Sequence, residues 1–155
     1  MGGFSNRHNT IAVNSLVFLH SQPSRQGFSG LQQQHQIRIE FPDHTRFYYP
    51  DAMVVCQSNP LTDHFQDQPV VIIEVLNDST RRADLGEKRD AYLTLPSLKV
   101  LLFVEPEMPS VTLQRRKSGG GFAIEDHVGL DAVIPLPKTD ASLALADLYD
   151  RAEFA

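Results

Sequence analysis

Four side chains have types and positions that could do chemistry: Asp51, Glu74, Asp84 and Lys88. Glu74 is the most informative of them, because it interrupts the otherwise apolar, β-branched run PVVIIEVL at residues 69–76. A run of this composition predicts a strand that is buried on both faces. An ionised carboxylate in such a strand costs several kcal/mol or more unless it is paired, hydrogen-bonded or bound to a cation. We therefore expect Glu74 to have a partner.

Asp51 is a candidate partner for Glu74, because it lies in a second β-type segment and is flanked by apolar residues. If the two strands are neighbours, the two carboxylates converge. Converging carboxylates repel each other unless one is protonated or a cation lies between them. Oxygen ligands of this kind suit a hard cation, so the pattern predicts a site for Mg²⁺ or Mn²⁺.

Lys88 lies on the apolar face of a predicted helix. Leu85, Lys88, Tyr92 and Leu95 are spaced by three, four and three residues, which places them on one stripe that should face the sheet. Asp84 precedes Lys88 by one turn and borders the same face. A lysine that reaches the C-terminal end of the Glu74 strand could orient a water molecule or stabilise an oxyanion.

Simpler interpretations exist for these residues when each is taken alone. Lys88 could extend along the helix to reach water, and Asp84 and Lys88 could form an ordinary surface pair four residues apart. Asp51 follows a proline and could cap a turn. His8, at the start of the first predicted helix, could approach the site, but a surface position is favoured. The joint occurrence of the four side chains, with Glu74 the hardest to explain otherwise, favours a site.

Composition limits the class of protein. The 155 residues fit one domain, and the formal net charge of −5 argues against a broad basic surface, although it leaves room for a local basic groove. Cys56 is the sole cysteine, which excludes an intramolecular disulfide, fits a cytoplasmic location and favours a buried thiol over a nucleophile. No apolar run approaches the roughly 18 residues of a membrane span. The basic cluster at residues 115–117 is interpreted as solvated surface.

Periodicity and turn signals predict the elements that position these residues. They are a helix over 8–20, a hairpin of strands over 34–41 and 46–56, the central strand over 70–76, a helix over 81–95 and a strand over 98–104, with loops over 21–30 and 57–68. The strand–helix–strand unit predicts a parallel crossover. A second hairpin (111–116 and 121–128), a short edge strand (132–136) and a closing helix (141–149) complete the prediction.

Four motifs together resemble the Uma family, a group of restriction-endonuclease-like bacterial proteins in the PD-(D/E)xK nuclease superfamily. The resemblance extends from about Ser5 to Tyr149. The motifs are Pro50-Asp51 followed by Val54-Val55-Cys56, the segment EVLNDST at residues 74–80, the helix pattern Asp84-x-x-x-Lys88-x-x-x-Tyr92, and Ser5-x-x-His8.

The resemblance implies a restriction-endonuclease-like α/β (α+β) fold, with a mixed sheet and flanking helices, and a Mg²⁺-dependent phosphodiesterase site. Asp51 and Glu74 would bind the metal together with the backbone carbonyl of Val75. The usual lysine two residues after the second acid is replaced by Leu76, and Lys88 on the adjacent helix would take its role. Asp84 would support Lys88 or the metal.

The resemblance also implies an endonuclease acting on nucleic acid, with DNA preferred over RNA, and a homodimer is compatible with it. The chain would be a single domain over residues 1–155 that lacks the usual N-terminal segment of the family. A function of another class stays open, namely a non-catalytic interaction module with a nuclease fold. In that case Glu74 and Lys88 would form a buried salt bridge.

Overall fold

The computed structural model of the chain describes residues 5–21, 29–31, 36–136 and 142–154. The helical segments are α1 (Asn6–Ser21), α2 (Arg81–Ala83), a π-helical turn (Asp84–Lys88), α3 (Arg89–Tyr92) and α4 (Leu145–Leu148). The strands are β1 (Ser29–Leu31), β2 (Gln36–Glu40), β3 (Thr45–Tyr48), β4 (Ala52–Val55), β5 (Phe65–Gln66), β6 (Pro69–Val75), β7 (Val100–Val104), β8 (Ser110–Arg116), β9 (Phe122–Val128), β10 (Val133–Pro135) and β11 (Ser142–Ala144).

Six of the described strands form the main sheet, in the order β1-β4-β6-β7-β8-β9. Strands β6 and β7 are parallel and are joined through the helical segment 81–92, so the predicted crossover is confirmed. Strands β8 and β9 form the predicted hairpin. Smaller sheets are formed by β3-β2-β5 and by β10-β11. The predicted mixed sheet with flanking helices is therefore present.

The prediction of one strand over residues 46–56 is wrong. The segment divides at Pro50: β3 pairs with β2 in the small sheet, whereas β4 pairs antiparallel with β6 in the main sheet. Proline has a fixed φ and no N–H to donate, so it favours a break between two strands. The hairpin prediction is right only for β2 and β3, and the break places Asp51 beside the central strand.

Two short strands and the C-terminal helix also differ from prediction. β1 begins in the first segment predicted as a loop, and β5 lies in the second. Residues 22–28 of the first predicted loop lie outside the described residues. The closing helix is only Leu145–Leu148, because β11 precedes it and pairs with β10. β1, β5, β10 and β11 are each two or three residues long, which is too short for a clear periodic pattern.

The core lies on both faces of the main sheet, and every residue of β6 is buried. Alternate residues of a strand face opposite sides. Ile73 and Val75 belong to the hydrophobic cluster that includes Ile11 of α1. Ile72 belongs to the second cluster, which includes Tyr92. Glu74 has the same parity as Ile72 and so faces the helical segment 81–92. Among the described helices, none is long and apolar enough to cross a membrane.

Candidate active site

Glu74 is the penultimate residue of β6, on its buried face, level with Phe103 of β7. Only 4% of its side chain is exposed. Two groups from the following helical segment contact the same carboxylate oxygen. Lys88 Nζ lies 3.0 Å from Glu74 Oε1, and the Tyr92 hydroxyl donates to Oε1 at 2.7 Å. The partner that the sequence required for Glu74 is therefore present on the helix.

Burial changes the protonation of Glu74. Desolvation raises the pKa of this carboxyl to about 8, and the nearby Asp51 adds to the rise, while Lys88 and Tyr92 oppose it. Burial also raises the pKa of Tyr92 well above its usual value, so its hydroxyl remains a donor. In the metal-free protein, Glu74 is thus a carboxyl group that retains its proton to unusually high pH.

Asp51 lies at the bend between β3 and β4, next to the end of the central strand. Ala52 pairs with Ile73, so the register places Asp51 level with Glu74. Asp51 Oδ2 accepts a hydrogen bond from the Val75 amide at 2.7 Å. Desolvation raises the pKa of Asp51, although this hydrogen bond and the nearby cations oppose the rise. The structure therefore brings the two predicted carboxylates together and does not leave Asp51 as a simple turn cap.

The lysine and the third acid come from the π-helical turn Asp84–Lys88. π-Turns insert one extra residue per turn and occur frequently at functional sites. Lys88 Nζ lies 3.4 Å from Asp84 Oδ1, and Thr80 Oγ1 donates to Asp84 Oδ2 at 2.9 Å. Asp84 is itself buried. It is thus more enclosed than the predicted border position.

Lys88 does not extend into solvent. Its side chain is 17% exposed, and its ammonium group lies between Glu74 and Asp84. Burial alone would lower the pKa of Lys88, but the two carboxylates outweigh burial and raise it. The lysine therefore stays cationic.

His8 is part of this region, so the favoured surface interpretation is wrong. Its residue exposure is 2%. Its Nε2 lies 2.9 Å from the Val75 carbonyl oxygen and 3.8 Å from Asp51 Oδ2. The signal that could have identified it is its spacing: three and four residues before Ile11 and Ala12, His8 continues the buried stripe of α1.

The donor atoms fit a hard divalent cation. The hydrogen bonds and ion pair above use Glu74 Oε1 and Asp51 Oδ2, so Glu74 Oε2 and Asp51 Oδ1 take no part in those contacts. Mg²⁺ is commonly bound by one or two carboxylates, with water and substrate phosphate completing its shell. The third predicted ligand, the Val75 carbonyl, contacts His8 and retains one lone pair. The described residues contain no group of three or more His, Cys, Asp or Glu side chains arranged around one metal position.

A recess of about 280 Å³ lies against His8 at the C-terminal end of β6. Neither Asp51 nor Glu74 lines it. The other lining residues come from the start of α1 and from the loops after β6 and β7: Ser5, Leu76, Asn77, Asp78, Ser79, Pro106 and Glu107. In open α/β sheets this end of the parallel strands is where ligands bind.

Known proteins resemble this chain both in sequence, through a family model, and in fold, through a solved structure. The family model of Uma2, described as "Putative restriction endonuclease", matches residues 1–146. Among solved structures, a "putative nuclease belonging to DUF820" from Anabaena variabilis ATCC 29413 matches with a TM-score of 0.73 at 16% sequence identity. The match covers 96% of this chain and 83% of that one. At this identity it shows the shared fold, and it confirms the predicted nuclease-like architecture.

Two relatives from Synechocystis sp. extend the comparison. The uncharacterized protein sll1609 is 31% identical over 72 residues, which cover 44% of this chain and 41% of that protein. The uncharacterized protein slr1290 is 25% identical over 151 residues, which cover 96% of this chain and 77% of that protein. The aligned part of the first relative is thus less than half of its length.

Proposed function

Because the chain belongs to the Uma2 family, as its motifs predicted, we propose that it is a metal-dependent nuclease that hydrolyses phosphodiester bonds of nucleic acid, DNA in preference to RNA. The observation that carries the proposal is the pairing of Asp51 with Glu74 at the end of β6. Both carboxyls have a raised pKa, and the Lys88 ammonium lies 3.0 Å from one of them. Adjacent carboxyls that are costly to ionise gain from a cation between them.

The residues that would bind Mg²⁺ or Mn²⁺ are Asp51 and Glu74, with the Val75 carbonyl as a third donor. A bound divalent ion supplies Lewis-acid stabilisation of the phosphoryl oxygens and lowers the pKa of a bound water. Tyr92 donates to Glu74 Oε1 and so fixes the orientation of that carboxylate. Asp51 is fixed in the same way by the Val75 amide.

Lys88 is the proposed electrostatic group. Its Nζ lies 3.0 Å from Glu74 and 3.4 Å from Asp84. An ammonium has three donors, so in this position it would also orient the attacking water or stabilise charge on the phosphoryl oxygens. Asp84, which accepts from Thr80, is the positioning residue for this lysine.

The direct contact between Lys88 and Glu74 also supports a second candidate, the non-catalytic interaction module. A buried ion pair can be retained for structural specificity without adding stability. In that case Mn²⁺ would not bind between Asp51 and Glu74. Joint replacement of Lys88 and Glu74 by neutral side chains of similar size would then preserve the stability of the fold.

A plasmid-nicking assay tests the proposed activity. Supercoiled DNA incubated with the purified chain is expected to be nicked in the presence of Mg²⁺ and to remain intact in EDTA. The variant Lys88→Met is expected to lose this activity. The matched control Arg89→Met removes the next cation, which is paired with Asp90 on the surface, and should retain it. Absence of divalent-dependent nicking by the natural chain, or full activity of Lys88→Met, would contradict the proposal.

A further inference from the structure

The positive charge that lacks a carboxylate partner is concentrated in one place. Of the lysines and arginines in the described part of the chain, most lie within 4.0 Å of a carboxylate, and four do not: Arg82, Lys99, Arg116 and Lys117. Three of these four meet where the β8-β9 hairpin turns beside the start of β7, since the Arg116 amide donates to the Lys99 carbonyl at 2.8 Å. The net charge of the whole chain is −5, so this local excess of positive charge stands out.

The hairpin also forms an open recess of about 540 Å³. Three basic residues and no acidic residue line it: Arg115, Arg116 and Lys117, followed by Ser118, Gly119, Gly120 and Ala123. The recess beside His8 differs, because Asp78 and Glu107 line that one. A recess lined by cations without carboxylates complements an anion.

The Arg116 side chain is held in place by groups that do not neutralise its charge. Its Nε and Nη2 donate to the carbonyls of Leu98 and Leu95 at 2.8 and 2.9 Å, and its guanidinium lies 4.6 Å from the centre of the Phe122 ring. Carbonyl oxygens and an aromatic ring orient the group but leave its full positive charge. Arg115, by contrast, is paired with Glu125 at 2.6 Å, and we expect a smaller contribution from it.

One side chain of the recess, Arg116, lies on the same face of the sheet as the candidate active site. Glu74, Phe103 and Thr112 are neighbours across β6, β7 and β8. Arg116 is four residues beyond Thr112, so its side chain has the same parity and face. At about 3.4 Å per residue along a strand and about 4.8 Å between strands, the recess is roughly 15 to 20 Å from Glu74. A short length of duplex spans that distance at about 3.4 Å per base pair.

From these observations we propose that the hairpin recess is a binding subsite for backbone phosphates of nucleic acid. The proposal rests on the proposed nuclease function, because the phosphates bound here would flank the phosphodiester at Asp51 and Glu74. The contacts would come from Arg116 and Lys117, which line the recess, and from Lys99, whose backbone is bonded to that of Arg116, and they carry no base recognition. The subsite would therefore add affinity and orientation without sequence preference.

The test is binding of a fluorescein-labelled DNA duplex, followed by anisotropy in EDTA over a series of salt concentrations. The full chain is compared with the double variant Lys99→Glu/Lys117→Glu, in which Arg116 is kept because its carbonyl contacts are structural. The control Arg151→Glu makes the single charge reversal at an exposed C-terminal position. Since Lys117 is exposed, Lys117→Glu alone provides the test if circular dichroism shows that the double variant is unfolded.

The double variant is expected to bind the duplex at least about tenfold more weakly, and its slope of log affinity against log salt should fall by about one per lost contact. The control should retain the slope of the natural chain. Equal affinity and slope in the double variant would overturn the subsite. Binding of the natural chain to phosphatidylserine vesicles without binding to duplex would also overturn it.

The subsite and the nuclease proposal can fail separately. Metal-dependent nicking by the natural chain, together with unchanged duplex binding by the double variant, overturns the subsite and leaves the nuclease proposal intact. Weakened duplex binding by the double variant, together with no nicking by the natural chain, supports the subsite and overturns catalysis.

Discussion

Lys88 Nζ lies 3.0 Å from Glu74 Oε1, on the face of the sheet whose apolar residues include Ile72, Leu101 and Phe103. This contact explains how a carboxylate is accommodated in an apolar strand. The Lys88 ammonium and the Tyr92 hydroxyl replace the water molecules that would otherwise solvate it. Both use the same oxygen. The other oxygen takes no part in these contacts, and in the proposed site it would bind a cation together with Asp51.

The raised pKa of Glu74 predicts a pH-dependent stability. Its folded-state pKa of about 8 is higher than the ordinary value of 4.5, so its contribution to the free energy of unfolding is fully present below about pH 4.5. This contribution is lost as the pH rises through about 8. Burial raises the pKa of Asp51 as well, which acts in the same direction.

The variant Glu74→Gln removes this titration while keeping the shape. Urea unfolding in EDTA should show that Glu74→Gln gains stability relative to the natural chain as the pH rises from about 5 to about 9, by a total on the order of a few kcal/mol. The control Glu107→Gln, at an exposed position, should give a flat difference. A flat difference for Glu74→Gln would contradict the assigned burial.

Replacement of Lys88 should lower the free energy of unfolding mainly at pH values where Glu74 is ionised. Loss of one partner from a buried pair costs about 3–5 kcal/mol, compared with about 1 kcal/mol or less for a surface pair. We expect Lys88→Met to lower the free energy of unfolding by about 3–5 kcal/mol above pH 8, and by less near pH 5. Arg89→Met should have little effect at either pH. A double-mutant cycle with Glu74→Gln measures the coupling energy between the two side chains, which we expect to be clearly non-zero at high pH.

His8 should matter to the fold as well as to the site. Its contact with the Val75 carbonyl joins α1 to the end of the central strand, and it is buried. Replacement by alanine leaves a cavity and an unpaired carbonyl, and should cost about 2 kcal/mol or more. Val13→Ala, at a half-exposed position of the same helix, is the matched control. Equal unfolding midpoints for His8→Ala and Val13→Ala would disprove this role.

Asp84 is expected to act through Lys88. The variant Asp84→Asn keeps an oxygen for Thr80 but weakens the attraction that positions the ammonium. The nicking rate at saturating Mg²⁺ should fall about tenfold or more, whereas the affinity for Mn²⁺ should change little. A parallel loss of Mn²⁺ affinity would make Asp84 a metal ligand instead.

The sequence predicted the parts of the site that depend on long periodic elements. The apolar run of β6 identified Glu74, and the stripe Leu85-Lys88-Tyr92 placed the lysine towards the sheet. It did not predict the π-helical turn, because the i to i+5 bonding leaves no distinct pattern of residue types in one turn. That turn, together with the Thr80 contact, is why Asp84 is enclosed.

Other features depended on tertiary contacts that periodicity does not encode. Pro50 indicated a bend, but whether the strand would continue in the same sheet or cross to another was decided by pairing of β4 with β6. His8 appeared to be a first-turn surface residue, because its partner, the Val75 carbonyl, is distant in the sequence. The interpretation of the hairpin basic cluster as solvated surface agrees with the exposure of Lys117, but the sequence does not show which of its cations have carboxylate partners.

Calorimetric titration with Mn²⁺ tests whether Asp51 and Glu74 together bind a divalent cation. We expect one Mn²⁺ site in the natural chain and in the control Asp126→Asn, and its loss in both Asp51→Asn and Glu74→Gln while all variants remain folded. Mn²⁺ binding that is unchanged in both site variants, or absent from the natural chain, would contradict a metal site formed by these two carboxylates.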